Sequence, residues 1–142
     1  MTEVSESWAQ LPPPQVHGEI WQRDLSSVAQ LPAARAALRD MLATSVPAHA
    51  DDSLEERFLL TFEELASNGL RHGGRPVQAR VVVAEDGLLI EVSDSVTERP
   101  PKLAVGRDPR FGGLGLYLVS RLTSTHGWHI AAGRKHVWAC CR

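Results

Sequence analysis

The chain has 142 residues, with 15 Lys plus Arg against 17 Asp plus Glu, two cysteines and 43% hydrophobic residues. That is chain for one domain with a sizeable core, and a formal charge of -2 removes any electrostatic reason to expect direct nucleic-acid binding. No apolar run approaches the roughly 20 residues needed to cross a bilayer.

Glu3 and Glu6 precede any apolar stretch, so no secretory signal is expected. Cys140 and Cys141 are adjacent, which argues against a disulfide framework and for a reducing, cytoplasmic setting. Residues 1–15, with Pro12-Pro13-Pro14 and no apolar period, read as a flexible tail before a single domain over 16–142. Trp8 lies in that tail, as a partner contact or as part of a disordered segment.

Val16 to Arg23 looks extended. Ser26 and Ser27 are N-cap candidates for a helix to about Ala43, whose Val28, Leu31, Ala34, Leu38, Met41 and Leu42 keep helical spacing. Residues 46–50 read as a loop. A second helix begins near Asp52, with Ser53 and Glu56 spaced as a capping box, and stops at His72-Gly73-Gly74 with Pro76 beyond.

Val77 to Ala84 and Leu88 to Ser93 are β-branched-rich runs separated by Glu85-Asp86-Gly87, a hairpin signal. Asp94 to Phe111 is a polar loop of roughly seventeen residues, long for a compact domain unless it has a function. Gly112 to Ser124 returns to helical spacing. Strands Trp128 to Ala132 and His136 to Cys140 close the chain through a Gly-Arg-Lys turn. The order strand, helix, helix, hairpin, loop, helix, hairpin predicts an α+β two-layer sandwich: a mixed, mostly antiparallel sheet with helices on one face.

The second helix is the most informative element. At about 100° per residue, Leu54, Phe58, Phe62, Leu65 and Gly69 fall in a stripe about 80° wide, its core face. Glu64, Asn68 and His72 form a polar ridge at intervals of four along one border. Such a ridge lines a cleft or is an ordinary solvated edge. Downstream, Asp94 ends a strand, and Gly112-Gly113-Leu114-Gly115 opens a helix, where backbone N–H groups favour an anion. His126 and His129 lie near Cys140 and Cys141 but without Cys-x-x-Cys spacing, which argues against a zinc site there. Cys140 and Cys141 are expected on opposite faces of the last strand, one buried and one exposed.

Glu64-Leu65-Ala66-Ser67-Asn68 with His72, Val92-Ser93-Asp94, and Gly113-Leu114-Gly115-Leu116 leading into Leu118-Val119 resemble the GHKL (histidine kinase-like) ATPase superfamily, and within it the bacterial anti-sigma-factor serine kinases. Val137-Trp138 is similar to the closing strand of many actinobacterial members. The resemblance covers residues 16–142 and implies ATP or ADP and Mg²⁺ as ligands. It implies Asn68 as the Mg²⁺ ligand, Glu64 as general base toward a partner's serine hydroxyl, and Asp94 as acceptor of the adenine amino group. Gly113, Gly115 and Leu116 match the second glycine box at the phosphates, and the intervening loop is the lid, with Arg107 and Arg110 interchangeable candidates for the terminal phosphate. His72 is either a nucleotide contact or a helix C-terminal cation.

The family's first glycine box continues Asp-x-Gly, whereas this chain reads Asp94-Ser95-Val96, which puts the shape of the adenine pocket in question. Sensor histidine kinases add a phosphoacceptor helix pair, and topoisomerase and mismatch-repair ATPases a transducer domain, for which 142 residues leave no room. The resemblance therefore implies an anti-sigma factor with serine kinase activity, partnered by a sigma factor and a STAS-type antagonist, with homodimers usual in the family. The alternative is a non-catalytic nucleotide-binding adaptor of the same fold.

Overall fold

The computed structural model describes residues 8–45, 52–101 and 115–142. In chain order they form β1 (Gly18–Leu25), a 3-10 turn (Val28–Gln30), α1 (Leu31–Ser45), α2 (Asp52–His72), β2 (Val77–Ala84), β3 (Gly87–Asp94), α3 (Gly115–Leu122), β4 (Thr125–Ala131) and β5 (Arg134–Cys141). The strands make one sheet in the order β1-β2-β3-β5-β4. All four ladders are antiparallel, and the parallel component is a single bridge between Gln10 and Trp128.

Local chemistry explains the helix starts. Ser27 caps the 3-10 turn by accepting from the Ala29 amide, while the Gln30 side chain reaches back in a capping box, so α1 proper begins four residues later than Ser27. Ser53, expected at the helix start, is the second residue of α2, and its hydroxyl accepts from Arg57 Nε at 3.2 Å. Arg57 also donates to the carbonyl of Leu122 at 3.3 Å, tying α2 to the end of α3, where unpaired carbonyls need donors.

The apolar stripe of α2 is buried as its spacing requires. Phe58 and Phe62 are fully enclosed, with Leu54 and Leu65 beside them. They pack on the alternate residues of the sheet that face the helices, including Val81, Ile90, Val92 and Ala139. Full burial of each such side chain contributes about 1.5–3 kcal/mol. The other face carries a smaller cluster of Val82, Leu89 and Trp138, with Val16 against it.

Three expectations need correction. Within the stretch read as a tail, residues 8–11 are docked along β4: Leu11 N–H donates to Trp128 O at 2.8 Å, Trp128 N–H donates to Ala9 O at 3.1 Å, and Trp8 is buried. The segment covers an edge strand that would otherwise leave its backbone groups unpaired. The last turn is Ala132-Gly133, both at positive φ (53° and 74°), and Arg134 and Lys135 belong to β5. A two-residue hairpin of this handedness needs that conformation at both central positions. Cys140 and Cys141 do face opposite sides, but both are buried; Cys140 sits between Leu89 and Thr125 in the sheet. The 102–114 segment, with Arg107, Arg110 and Gly113, and the 46–51 loop lie outside the described residues.

Candidate functional site

The polar ridge of α2 meets the ends of β3 and β5 at one small hollow. Asn68 and His72 line it from the helix, Asp94 and Lys135 from the sheet, and Arg99-Pro100 from the start of the long loop. Leu65, Gly69, Val92 and Val137 form its apolar floor. Its free volume is about 10 Å³, room for a single water.

Asp94 is the last residue of β3 and is 2% exposed. Its Oδ1 accepts the Val96 amide at 2.8 Å, an Asx-type turn that holds the chain just after the strand. Its Oδ2 lies 3.8 Å from Lys135 Nζ. Asp94 and Lys135 are direct cross-strand partners. Lys135 also donates to the carbonyl of Arg99 at 3.4 Å. Burial pushes the Lys135 ammonium below its usual pKa, against the upward pull of Asp94.

The two glycines after α2 serve close approach. A Cβ on Gly73 would sit 2.5 Å from Asp94 Cγ, and one on Gly74 would strike Ser95 Oγ. Neither has positive φ; among described glycines that belongs to Gly133 alone. The helix ends at His72, where the glycine signal places its end, with Gly73 N–H bonded to Gly69 O at 2.9 Å and Ser95 N–H to Gly74 O at 2.9 Å. The helix end is thereby bonded to the residue after Asp94.

Of the sequence-derived site residues, the structure brings Asn68, His72 and Asp94 to one hollow. Glu64 lies one turn back on the same ridge, half-buried, and is not among the hollow's walls. Burial raises its carboxyl pKa, Glu63 raises it further and Arg71 opposes. Gly115 and Leu116 are the first two residues of α3. Lys135 and Arg99 were not anticipated. The signal for Lys135 is period two: with Val137, Ala139 and Cys141 facing the helices, a strand beginning at Arg134 puts Lys135 on that face.

Chemically, the hollow offers a hard amide oxygen, an imidazole and a carboxylate with one oxygen not committed to the backbone. An amide oxygen suits Mg²⁺, which takes few protein ligands. The model of the histidine kinase-like ATPase domain family matches residues 25–141. Among solved structures, the RsbU and RsbW domains of Rv1364c from Mycobacterium tuberculosis superpose with a TM-score of 0.62 at 19% identity, over 87% of this chain. The chain spans 32% of that longer one, and at this identity the likeness carries the fold alone. No curated protein matches the sequence. No described helix is long and apolar enough to cross a membrane.

Proposed function

The chain belongs to the histidine kinase-like ATPase family, and we propose that it is an ATP-binding anti-sigma regulatory factor with serine kinase activity, acting on a STAS-type antagonist and sequestering a sigma factor. The observation that carries this reading is the convergence of Asn68, His72 and Asp94 on one hollow between α2 and the sheet. In this reading Asp94 Oδ2 accepts the adenine amino group, and Gly73 leaves the helix end close enough to hold that carboxylate in place.

Mg²⁺ would be held by the amide oxygen of Asn68 and would supply charge neutralisation on the phosphates. Glu64 accepts the proton of the attacking serine hydroxyl. The new bond is serine oxygen to γ-phosphorus, the bond broken joins that phosphorus to the β-γ bridging oxygen, and ADP leaves. A carboxyl whose pKa is raised by burial is a stronger base than an ordinary one. Arg107 or Arg110 reaches the terminal phosphate, and the backbone amides at Gly113 and Gly115, next to Leu116, approach the phosphate chain.

A second reading, a non-catalytic nucleotide-binding adaptor, draws on Lys135 standing against Asp94 and on Val96 in the glycine position. One experiment separates them: Mg-ATP titration of wild type, Asn68→Ala and Asp94→Ala, followed by incubation with radiolabelled ATP and a purified STAS-type antagonist. Binding lost in both variants, with serine phosphorylation lost in Glu64→Ala, supports the kinase. Binding without transfer supports the adaptor. Failure of wild type to bind ATP overturns both.

A further inference from the structure

The sheet face turned away from the helices carries a second cluster of chemistry-bearing side chains. Glu91 on β3, His136 on β5 and His129 on β4 come from three adjacent strands; His129 and His136 are direct cross-strand partners, and Glu91 lies on the diagonal, opposite Trp138. Strand alternation puts Glu91 on the opposite face from Asp94, so the cluster is separate from the hollow described above.

We propose that Glu91, His129 and His136 form a binding site for a divalent transition metal of the zinc class. His129 Nε2 lies 3.7 Å from Glu91 Oε2, and His136 Nδ1 lies 3.8 Å from Glu91 Oε1. One donor atom from each residue falls within 4.8 Å of the others. These spacings are too long for hydrogen bonds. The two distances to Glu91 are a few tenths of an ångström wider than the roughly 3.3 Å between ligand atoms on a tetrahedral ion with bonds near 2.0 Å. The widest donor separation, up to 4.8 Å, has to close further as the side chains turn onto the ion.

Two further observations point to a ligand. His129 Nε2 is sealed from solvent and, among the described residues, has no hydrogen-bond partner, an arrangement that is costly unless something satisfies it. His136 Nε2 faces the Ala131 carbonyl at 3.3 Å. Donation there leaves the Nδ1 lone pair turned toward Glu91, the outer-shell device by which proteins orient a ligating imidazole.

Arg80 Nη1 is 3.9 Å from Glu91 Oε1, the oxygen that faces His136, so the guanidinium competes with an ion for that oxygen, while Oε2 faces His129. Arg134, engaged with Ser93 Oγ at 3.0 Å, is a further cation on this side among the described residues. Their charge limits affinity, and two imidazole donors select zinc-like ions over Mg²⁺ or Ca²⁺. The side chains of Glu91, His129 and His136 are 13%, 23% and 21% exposed, so the cluster borders solvent even though His129 Nε2 itself is covered.

The test uses the untagged full chain, stripped with chelator and titrated with Zn²⁺ against a chromophoric competitor and separately with Co²⁺. One equivalent is expected, with cobalt d–d absorption and no thiolate charge-transfer band. His129→Ala, His136→Ala and Glu91→Gln should each weaken binding by more than the about 10–100-fold that an outer-shell partner carries, and His17→Ala should leave it unchanged. In wild type, Zn²⁺ should shift the imidazole C–H resonances of His129 and His136 ahead of the other histidines, a reading that does not depend on any variant folding. Absence of saturable binding, or resonance shifts confined to other histidines, overturns the proposal.

Discussion

The ammonium of Lys135 lies 3.8 Å from Oδ2 of Asp94, with the two side chains only 4% and 3% exposed. The carboxylate expected to recognise adenine thus already faces a cation from the neighbouring strand, and the remaining space is about that of one water. Lys135 and the Arg99-Pro100 wall both border the space that a ligand of this carboxylate would occupy. A pair buried to this degree gains from its mutual attraction only against a heavy desolvation penalty, consistent with burial holding the Lys135 pKa below its usual value.

Lys135→Met removes the competing cation and leaves the Asp94 carboxylate in want of a donor. Breaking a buried pair costs about 3–5 kcal/mol, so the ligand-free protein should melt lower than wild type. The adenine amino group then supplies the missing donor. The rise in melting temperature on adding saturating Mg-ATP should therefore be larger in Lys135→Met than in wild type. A smaller rise would mean that Lys135 contacts the nucleotide and helps to hold it.

The relation between Asp94 and Lys135 also shows where sequence reading runs out. The stripe of α2, the first hairpin and the position of Asp94 at a strand end are local signals of period and turn chemistry, and they agree with the structure. Sequence alone places Lys135 in the turn, because nothing local marks Ala132 as taking positive φ. Moving the turn by one or two residues carries Lys135 from solvent into the hollow. Trp8 is the second case. Its burial depends on the bare edge of β4, a partner more than a hundred residues away, and a proline-rich segment carries no period to announce the pairing.

Gly73→Ala places a methyl group 2.5 Å from Asp94 Cγ and 2.6 Å from its Oδ2. Overpacking of this kind costs about 1–3 kcal/mol. The carboxylate must shift, so ATP affinity should fall about tenfold or more, the equivalent of about 1.4 kcal/mol. A double-mutant cycle with Asp94→Gly identifies the cause: Asp94 Cβ would itself lie 2.7 Å from the new methyl carbon, so only a background without that Cβ should largely abolish the stability cost of Gly73→Ala. A cost that persists would locate the strain elsewhere in the helix terminus.

Glu64 titrates above its ordinary 4.5 because burial and the neighbouring Glu63 both disfavour its charge. A base must be ionised, so the acidic limb of kcat/KM against pH should lie above 4.5. Glu63→Gln should move that limb down and Arg71→Gln should move it up. The stability effect has a definite sign. Between 4.5 and the raised value the folded state binds more protons than the unfolded state, so stability falls as pH rises through that window and is level above it. Glu64→Gln abolishes this dependence, which urea denaturation at pH 4 and pH 7 measures. A limb at or below 4.5 would exclude Glu64 as the base.

Trp8 tests whether the N-terminal segment is part of the fold. Its ring packs at 4.5 Å from His126, its side chain joins the main core, and its carbonyl accepts from Trp128 Nε1 at 3.1 Å. Trp138 Nε1 makes the matching bond to Leu11 O at 2.9 Å. Trp8→Ala removes the ring but keeps both carbonyls. Loss of a large buried aromatic costs about 3–5 kcal/mol. At about 4 °C per kcal/mol for a domain of this size, the melting temperature should drop by about 12–20 °C. Leu11→Pro deletes the amide that donates to Trp128 O and should cost about 1 kcal/mol. ATP affinity below the transition should be unchanged in both, because β4 is the far edge of the sheet and the hollow is built from α2, β3 and β5. A melting temperature within about 2 °C of wild type for Trp8→Ala, less than about 1 kcal/mol, would show that the segment is not held against β4 in solution.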